Sequence, residues 1–553
     1  MIHAAHAPAW RIAVFSVLAV AAAGAGLGCH GDAAGGADSG SNGGRGGGSA
    51  DGGKPPDVPF VRPDSGASGG MYVPQPGTCG LDAPAFCDTF EAGPQTGGRA
   101  GELDPARWSA MRGAPSAHAD LTTAYRIGPA LLPACRPGLT GTAALPENDT
   151  VICDPTATVR TRHLLTAAAA QNYGMSAYRV RQPFDFAGRT GRITLDVDLS
   201  NGALFGWPAL ALAEDPTPMP TFDFPERGSG PRNGFEIEFS SGWCNTANTV
   251  EPSVYTYRDY VETAMGASYD CGTPHAVTAP GALNHVEIYL TAGHLELWAS
   301  DASPDGVSFP NFHQLWAGDL SLPFSRGYLN LVVRNHATMK YWSGSAWITR
   351  WDNVGFDGPV VTGWREHSAV DSLQSYRGLE GCLIEGKCLW RGAVIPTHPG
   401  TDCDSPEESC TFDEQGRVVG YVVPNRDEPP VSIAIPAVHL TGATRARLAI
   451  AVDYPWFEWN GVTYPPTHFN LRHRLNGGAW QDRFVTEVEA NAFAGDFATG
   501  GAPGAGLLNQ MIDLDLSELR DGTNTLELSG DGTWTGSYRI AVAGADLILT
   551  TTP

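Results

Sequence analysis

The stretch "NHVEIYLTAGHLELWASD", Asn284 to Asp301, holds two runs that alternate apolar and polar residues, joined by a short turn around Gly293. A period of two is the mark of a strand with one face buried, and two such runs across a glycine turn predict a hairpin. Val286, Ile288, Leu290, Leu295 and Leu297 are expected to point to a core. His285, Glu287, Tyr289, Glu296 and Trp298 are expected to point away from it.

The same period extends outward in both directions. "YRVRQPF", "RITLDVDL" and "GYLNLVVRNH" read as strands, and "ITRWDNVGFDGP" closes the unit. Further on come "VSIAIPAVHL", "RARLAIAVDY", "HFNLRHRLNGGAW", "MIDLDLSEL", "NTLELSG" and "YRIAVAGADLILT". "LNGGAW" carries Asn476-Gly477, the residue pair favoured at a tight hairpin tip. Only "HLLTAAAAQNYG" suggests a short helix. The expected class is all-β, with two antiparallel β-sandwich domains over 71–364 and 365–553.

The chain has 553 residues, too many for one core. Acidic residues number 59 against 35 Lys and Arg, a net charge of -24. Such a surface repels nucleic acid and anionic lipid and leaves neutral polymers open. A monomer is expected. Before the first domain, Arg11 precedes "IAVFSVLAVAAAGAG", a signal-peptide core over 1–28. "GLGCH" resembles the lipobox of bacterial lipoproteins. That resemblance implies lipid on Cys29 and a cell-envelope location, as an outer-membrane lipoprotein; a plain secreted protein is the alternative. Residues 29–70 are rich in Gly and Ser and read as a disordered tether with a reach of roughly 35 Å. The other ten cysteines fall into neighbouring pairs, read as disulfides of an exported protein: Cys79 and Cys87, Cys135 and Cys153, Cys244 and Cys271, Cys382 and Cys388, Cys403 and Cys410.

The first domain resembles the concanavalin A-like lectin/glucanase superfamily, and within it the family 16 glycoside hydrolases. "FCDTFE" with "LDPARW", then the hairpin above, "PFSRGYLNLVVRNHA" and "RWDNVGFDGP" follow that family's strand order. The resemblance implies a jelly roll whose last strand returns beside the first. It makes Glu91 and Asp352 candidate ligands for a structural calcium; no other cofactor is expected. The second domain resembles accessory carbohydrate-binding sandwiches.

"NGFEIEFSSGW", Asn233 to Trp243, would be the acidic strand. Gly234, Glu236, Glu238 and Ser240 share one face, with neighbours on that face about 6.6–7 Å apart. Glycoside hydrolysis needs two carboxylates at about that spacing. The family's motif is E-x-D-x-E. With Glu236 as nucleophile, Ser240 stands where the acid belongs; with Glu238 as acid, Gly234 stands where the nucleophile belongs. A serine cannot protonate a leaving alcohol near neutral pH. An acid from another strand, Glu287 or Glu296, would be needed. The plain alternative is the wet face of a half-buried sheet. A glycan-binding face without turnover is the third reading. Trp207, Trp243, Tyr289, Trp298 and Trp342 would supply rings, and Glu236, Glu238 and Arg334 polar anchors. The tyrosines between Cys244 and Cys271 would sit on a loop at its margin. The expectation is therefore a surface lipoprotein that binds polysaccharide through a concave sheet without catalysis. A glycoside hydrolase or polysaccharide lyase using Glu236 and Glu238, and a structural or adhesion lipoprotein, are the alternatives.

Overall fold

The computed structural model describes residues 59–60, 70–75, 77–93, 103–114, 150–153, 162–168, 175–201, 206–216, 231–241, 249–266, 275–279, 281–335, 347–368, 376–377, 387–390, 393–396, 421–422, 429–453, 457–459, 462–464, 470–489, 508–530 and 541–552. Cys29, Cys135, Trp243, Cys244, Cys271, Trp342, Cys382, Cys403 and Cys410 lie outside them, so the lipidation and four of the five disulfide assignments do too.

Two sheets stack over the first core. The back sheet has nine strands, in the order Gly70–Tyr72, Phe309–Asp319, His294–Ala299, Asn284–Leu290, Gly191–Val197, Trp347–Asp357, His163–Ala168 and Thr150–Cys153, with Pro84–Asp88 also paired to Trp347–Asp357. The front sheet has ten. Its main path runs Val261–Gly266, Thr249–Arg258, Asn233–Ser241, Gly206–Ala213, Arg326–Asn335, Met175–Val180, Trp108–Ala114 and Tyr376–Arg377. The pairings are antiparallel except the short last one. The strand at Trp347–Asp357 returns beside Pro84–Asp88, with Gly355 opposite Cys87, as the family resemblance implies. Cys79 and Cys87 are joined by a disulfide.

The hairpin predicted from Asn284–Asp301 forms in register, Ile288 opposite Leu297. Its inward residues, Val286, Ile288, Leu290, Leu295 and Leu297, meet Phe235, Ile237, Phe239, Leu210, Leu212, Leu329 and Leu331 of the front sheet in one core. Trp108 and Trp351 are fully buried in it. A buried indole N–H needs an acceptor. Trp108 donates to Asp88 Oδ2 at 2.7 Å and Trp351 to Thr166 Oγ1 at 2.7 Å. The helix expected at "HLLTAA" is instead the strand His163–Ala168. Pairing with Trp347–Asp357, and burial of Leu164 and Thr166, outweigh the helical preference of its alanines.

A second sandwich follows. Its five-stranded sheet runs Trp364–Ser368, Ala541–Thr551, Ala443–Asp453 and Leu508–Leu514, with Tyr421–Val422 against Ala541–Thr551. Its four-stranded sheet runs Val431–Val438, Gly522–Gly530, Asn470–Leu475 and Gln481–Phe484. Leu448, Ile450, Leu471, Leu526, Leu528 and Leu547 fill the core between them. Asn476 and Gly477 both take positive φ, 51° and 74°, as a tight hairpin tip requires.

Candidate functional site

Asn233–Ser241 is a strand whose odd positions, Phe235, Ile237 and Phe239, enter the core. Gly234, Glu236, Glu238 and Ser240 therefore fall on the outer face of the front sheet. Register aligns residues into rows on that face. One row is Ser109, Arg179, Asn330, Ala211, Glu236 and Tyr255. The next is Ala177, Val332, Ala209, Glu238 and Ser253. On the other side lie Tyr328, Ala213, Gly234 and Tyr257. Alanines at 209, 211 and 213 make a low floor between Asn330 and Glu236, which stand two strand spacings, about 10 Å, apart. Tyr257 donates its hydroxyl hydrogen to Glu236 Oε2 at 3.1 Å.

Sequence reasoning missed Arg179 and Asn330 and placed Tyr255 and Tyr257 only at the margin of the face. The two tyrosines lie on a strand, Thr249–Arg258, and not on a marginal loop. Their spacing in "VYTYRDY" was the available signal. Trp207 and Arg334 stand opposite each other on adjacent front-sheet strands.

The concave sheet face expected to bind glycan is covered at its two glutamates. Glu236 is 0% and Glu238 4% exposed. On one flank the second sandwich itself lies against the face. Glu366 accepts from Arg179 at 2.5 Å and pairs with Arg181 at 2.9 Å, and Asp546 stands 3.9 Å from Arg179. The rings of Trp364 and Tyr328 are 5.9 Å apart. Arg447 pairs with Asp215 at 3.4 Å, and Tyr260, at the tip of the Thr249–Arg258 hairpin, joins the second core. Burial works against the charge on Arg179, yet Glu366 and then Asp546 hold its pKa above the ordinary value. Burial pushes the Asp215 carboxyl up, against the pull of Arg447.

Tyr289 and Trp298 do not join Glu236 and Glu238. They stand on the outer face of the back sheet, with the core between the two sets. The same holds for Glu287 and Glu296, so neither can supply the missing acid to Glu236. The cause is topological: strands of both sheets show the same alternation, and alternation does not say which sheet a strand joins.

The back face has its own buried network. His285 sits between Asp196 Oδ1 at 2.6 Å and Glu287 Oε1 at 3.0 Å. Contacts from both ring nitrogens to carboxylates define an imidazolium. Burial disfavours that charge, but the hydrogen bonds to Asp196 and Glu287 raise the pKa above its usual value. Glu287 also accepts from Arg192 and from the Tyr289 hydroxyl. Burial would raise its carboxyl, but His285 and then Arg192 lower it to about 2. Asn353, at a bulge with φ 48°, donates to Asp196 at 2.7 Å. Tyr72 stacks on His285 at 4.2 Å between ring centroids, and Phe60 meets His294 edge-on at 4.7 Å. Both pack against Tyr289, Trp298 and Phe312. Phe60 lies in the segment expected to be tether.

Glu91 accepts from the Arg162 amide at 2.8 Å, and Asp352 is buried with Oδ1 accepting from the Asn353 amide. Among the described residues, no group of three or more His, Cys, Asp and Glu side chains is placed to hold a metal ion.

No family model matches the chain, and no curated protein does. Solved structures do. A glycoside hydrolase family 16 endo-glucanase from Bacteroides ovatus is 11% identical, with 49% of this chain and 99% of that chain covered and a TM-score of 0.30. An immunostimulatory antigen and pseudo β-1,3-glucanase of Mycobacterium tuberculosis is 14% identical over 50% of this chain and 99% of its own, TM-score 0.25. The lectin UEA-II, solved with galactose, is 12% identical over 38% and 89%, TM-score 0.25.

Proposed function

We propose that this is a glycan-binding protein that does not cleave its ligand. Binding on this reading requires the face to open: Tyr255 and Tyr257, which pack with the alanines, would then supply aromatic surface, and Glu236 and Glu238 hydroxyl acceptors. One observation carries the absence of turnover. The cross-strand neighbours of Glu236 are Ala211 and Tyr255, and the outer positions flanking the glutamate pair on their own strand are Gly234 and Ser240, so the motif strand carries no third carboxylate; the next one on the face, Glu251, lies one strand over, opposite Ser240. Retention of purified protein on immobilised neutral polysaccharides, reduced by Glu236→Gln and Glu238→Gln, tests the reading. No retention on any of them would sink it, and steady release of reducing ends would replace it with hydrolysis.

Gly234 sharpens the point. A Cβ there would lie 2.5 Å from the Leu212 carbonyl oxygen and 3.0 Å from the Pro231 ring. Gly234→Glu, which writes a carboxylate into the vacant motif position, is therefore expected to cost about 1–3 kcal/mol of stability and create no hydrolase. Urea unfolding and a reducing-sugar assay check this; a stable, hydrolytic variant would refute it.

A second reading, a structural or adhesion protein, is favoured by the burial of Glu236 and Glu238 and by the ion pairs that Arg179 and Arg181 make with Glu366. It expects wild-type protein to ignore every glycan offered.

A further inference from the structure

We infer that the chain carries a second carbohydrate-binding surface, built on Trp480 and Phe484 on the outer face of the four-stranded sheet and suited to neutral polysaccharide. The inference rests on the glycan-binding reading and names a surface outside the front sheet.

Leu471 and Leu475 enter the second core, so Asn470, Arg472 and Arg474 fall on the outer side. Arg472 pairs with Asp482 at 3.0 Å, which puts Asp482 on the same side, and Phe484 follows two positions along the strand Gln481–Phe484. The guanidinium groups of Arg474 and Arg472 lie 4.5 and 5.3 Å from the Trp480 ring centroid, within cation–π range, and hold the indole on this face. Phe484 is 59% exposed. It is the aromatic member of the exposed large hydrophobic side chains whose burial is described. Trp480 and Phe484 are four residues apart, about 13 Å along an extended chain. That distance spans more than one sugar ring.

The polar groups between the rings favour a neutral ligand. Arg474 makes a two-pronged pair with Glu527, at 2.8 and 2.9 Å, and Arg472 is taken by Asp482. The two cations and two anions cancel, leaving no spare charge for a polyanion or a polycation. The net charge of -24 adds a further bar to polyanions. Asn470 donates to Asp482 at 2.9 Å, while its buried Oδ1 has no partner among the described residues. Aromatic faces beside planar hydrogen-bonding groups match the apolar C–H faces and hydroxyl edges of a sugar. The strand Gln481–Phe484 is a sheet edge, but Asp482 and Arg483 at its centre oppose pairing with another strand.

The test is native electrophoresis of the full chain through gels containing a neutral β-glucan, a mannan or alginate. Wild type is expected to be retarded by a neutral polymer and not by alginate. Trp480→Ala and Phe484→Ala should each weaken retardation about fivefold or more, the size of one lost ring contact. Phe484 is so exposed that its loss leaves folding intact, so this variant decides the matter even if Trp480→Ala misfolds. Retardation kept in Phe484→Ala but lost in Glu236→Gln overturns the inference and leaves the front-sheet reading standing. Retardation only by alginate overturns it, as does a concentration-dependent dimer abolished by Phe484→Ala. No retardation of wild type by any polymer overturns both readings together.

Discussion

His285→Ala is expected to destabilise the protein by about 3–5 kcal/mol, the cost of stripping a buried charge of its partner. Asp196 and Glu287 would be left facing each other inside the protein, with Arg192 the remaining cation on Glu287. The Tyr72 ring would lose the surface it stacks on. Urea unfolding is the measurement, and a loss under 1 kcal/mol would show that the network carries little. The pH dependence separates charge from packing. The folded pKa of His285 is raised, so its contribution is complete below the ordinary value of about 6.5 and fades as pH rises through the folded value. The pKa of Glu287 is lowered, so its contribution is complete above the ordinary value of about 4.5 and fades as pH falls toward 2. Wild-type stability should thus decline on both sides of a plateau. His285→Gln, which keeps much of the volume, should lose the alkaline decline. An alkaline decline unchanged in that variant would assign it to another group.

Arg179→Met should cost a similar amount, about 3–5 kcal/mol, through a different failure. Glu366, whose side chain is 1% exposed, would lose the cation 2.5 Å away, and Asp546 the one at 3.9 Å. Arg181 would still reach Glu366. The expected result is loosening of the second sandwich from the front sheet, seen as new protease cuts between the sandwiches ahead of global unfolding. A double-mutant cycle with Glu366→Gln isolates the pair, and additive effects would show that the two residues do not act together. Loosening should also raise glycan capture on the front sheet if the docked sandwich limits access to Glu236. Unchanged capture in a loosened protein would exclude that role.

Much of the architecture was legible because the hairpin at Asn284–Ala299 and the tip at Asn476-Gly477 are local: a period of two, a glycine, a short span. The return of "RWDNVGFDGP" beside the first strand was legible only through resemblance, since its partner lies more than 250 positions upstream. The candidate site was harder. Arg179 in "YRVRQPF" looks like any solvated cation until Glu366 meets it from far along the chain. Tyr289 and Glu236 both read as outward-facing, and nothing in either strand says that they face away from each other. His285 and Asp196 are 89 residues apart, and neither sits in a recognisable motif. The small-residue composition of 29–70 likewise hid the single ring at position 60.

Phe60 bears on where the protein can be cut short. A version begun at Met71 would retain every strand but its first residue, Gly70, and so would look complete from topology. It would lack the plug that closes over Tyr289, Trp298 and Phe312, baring aromatic surface to water on the outer face of the back sheet. Clumping in such a shortened protein would then reflect the missing plug and say nothing about whether the natural chain associates.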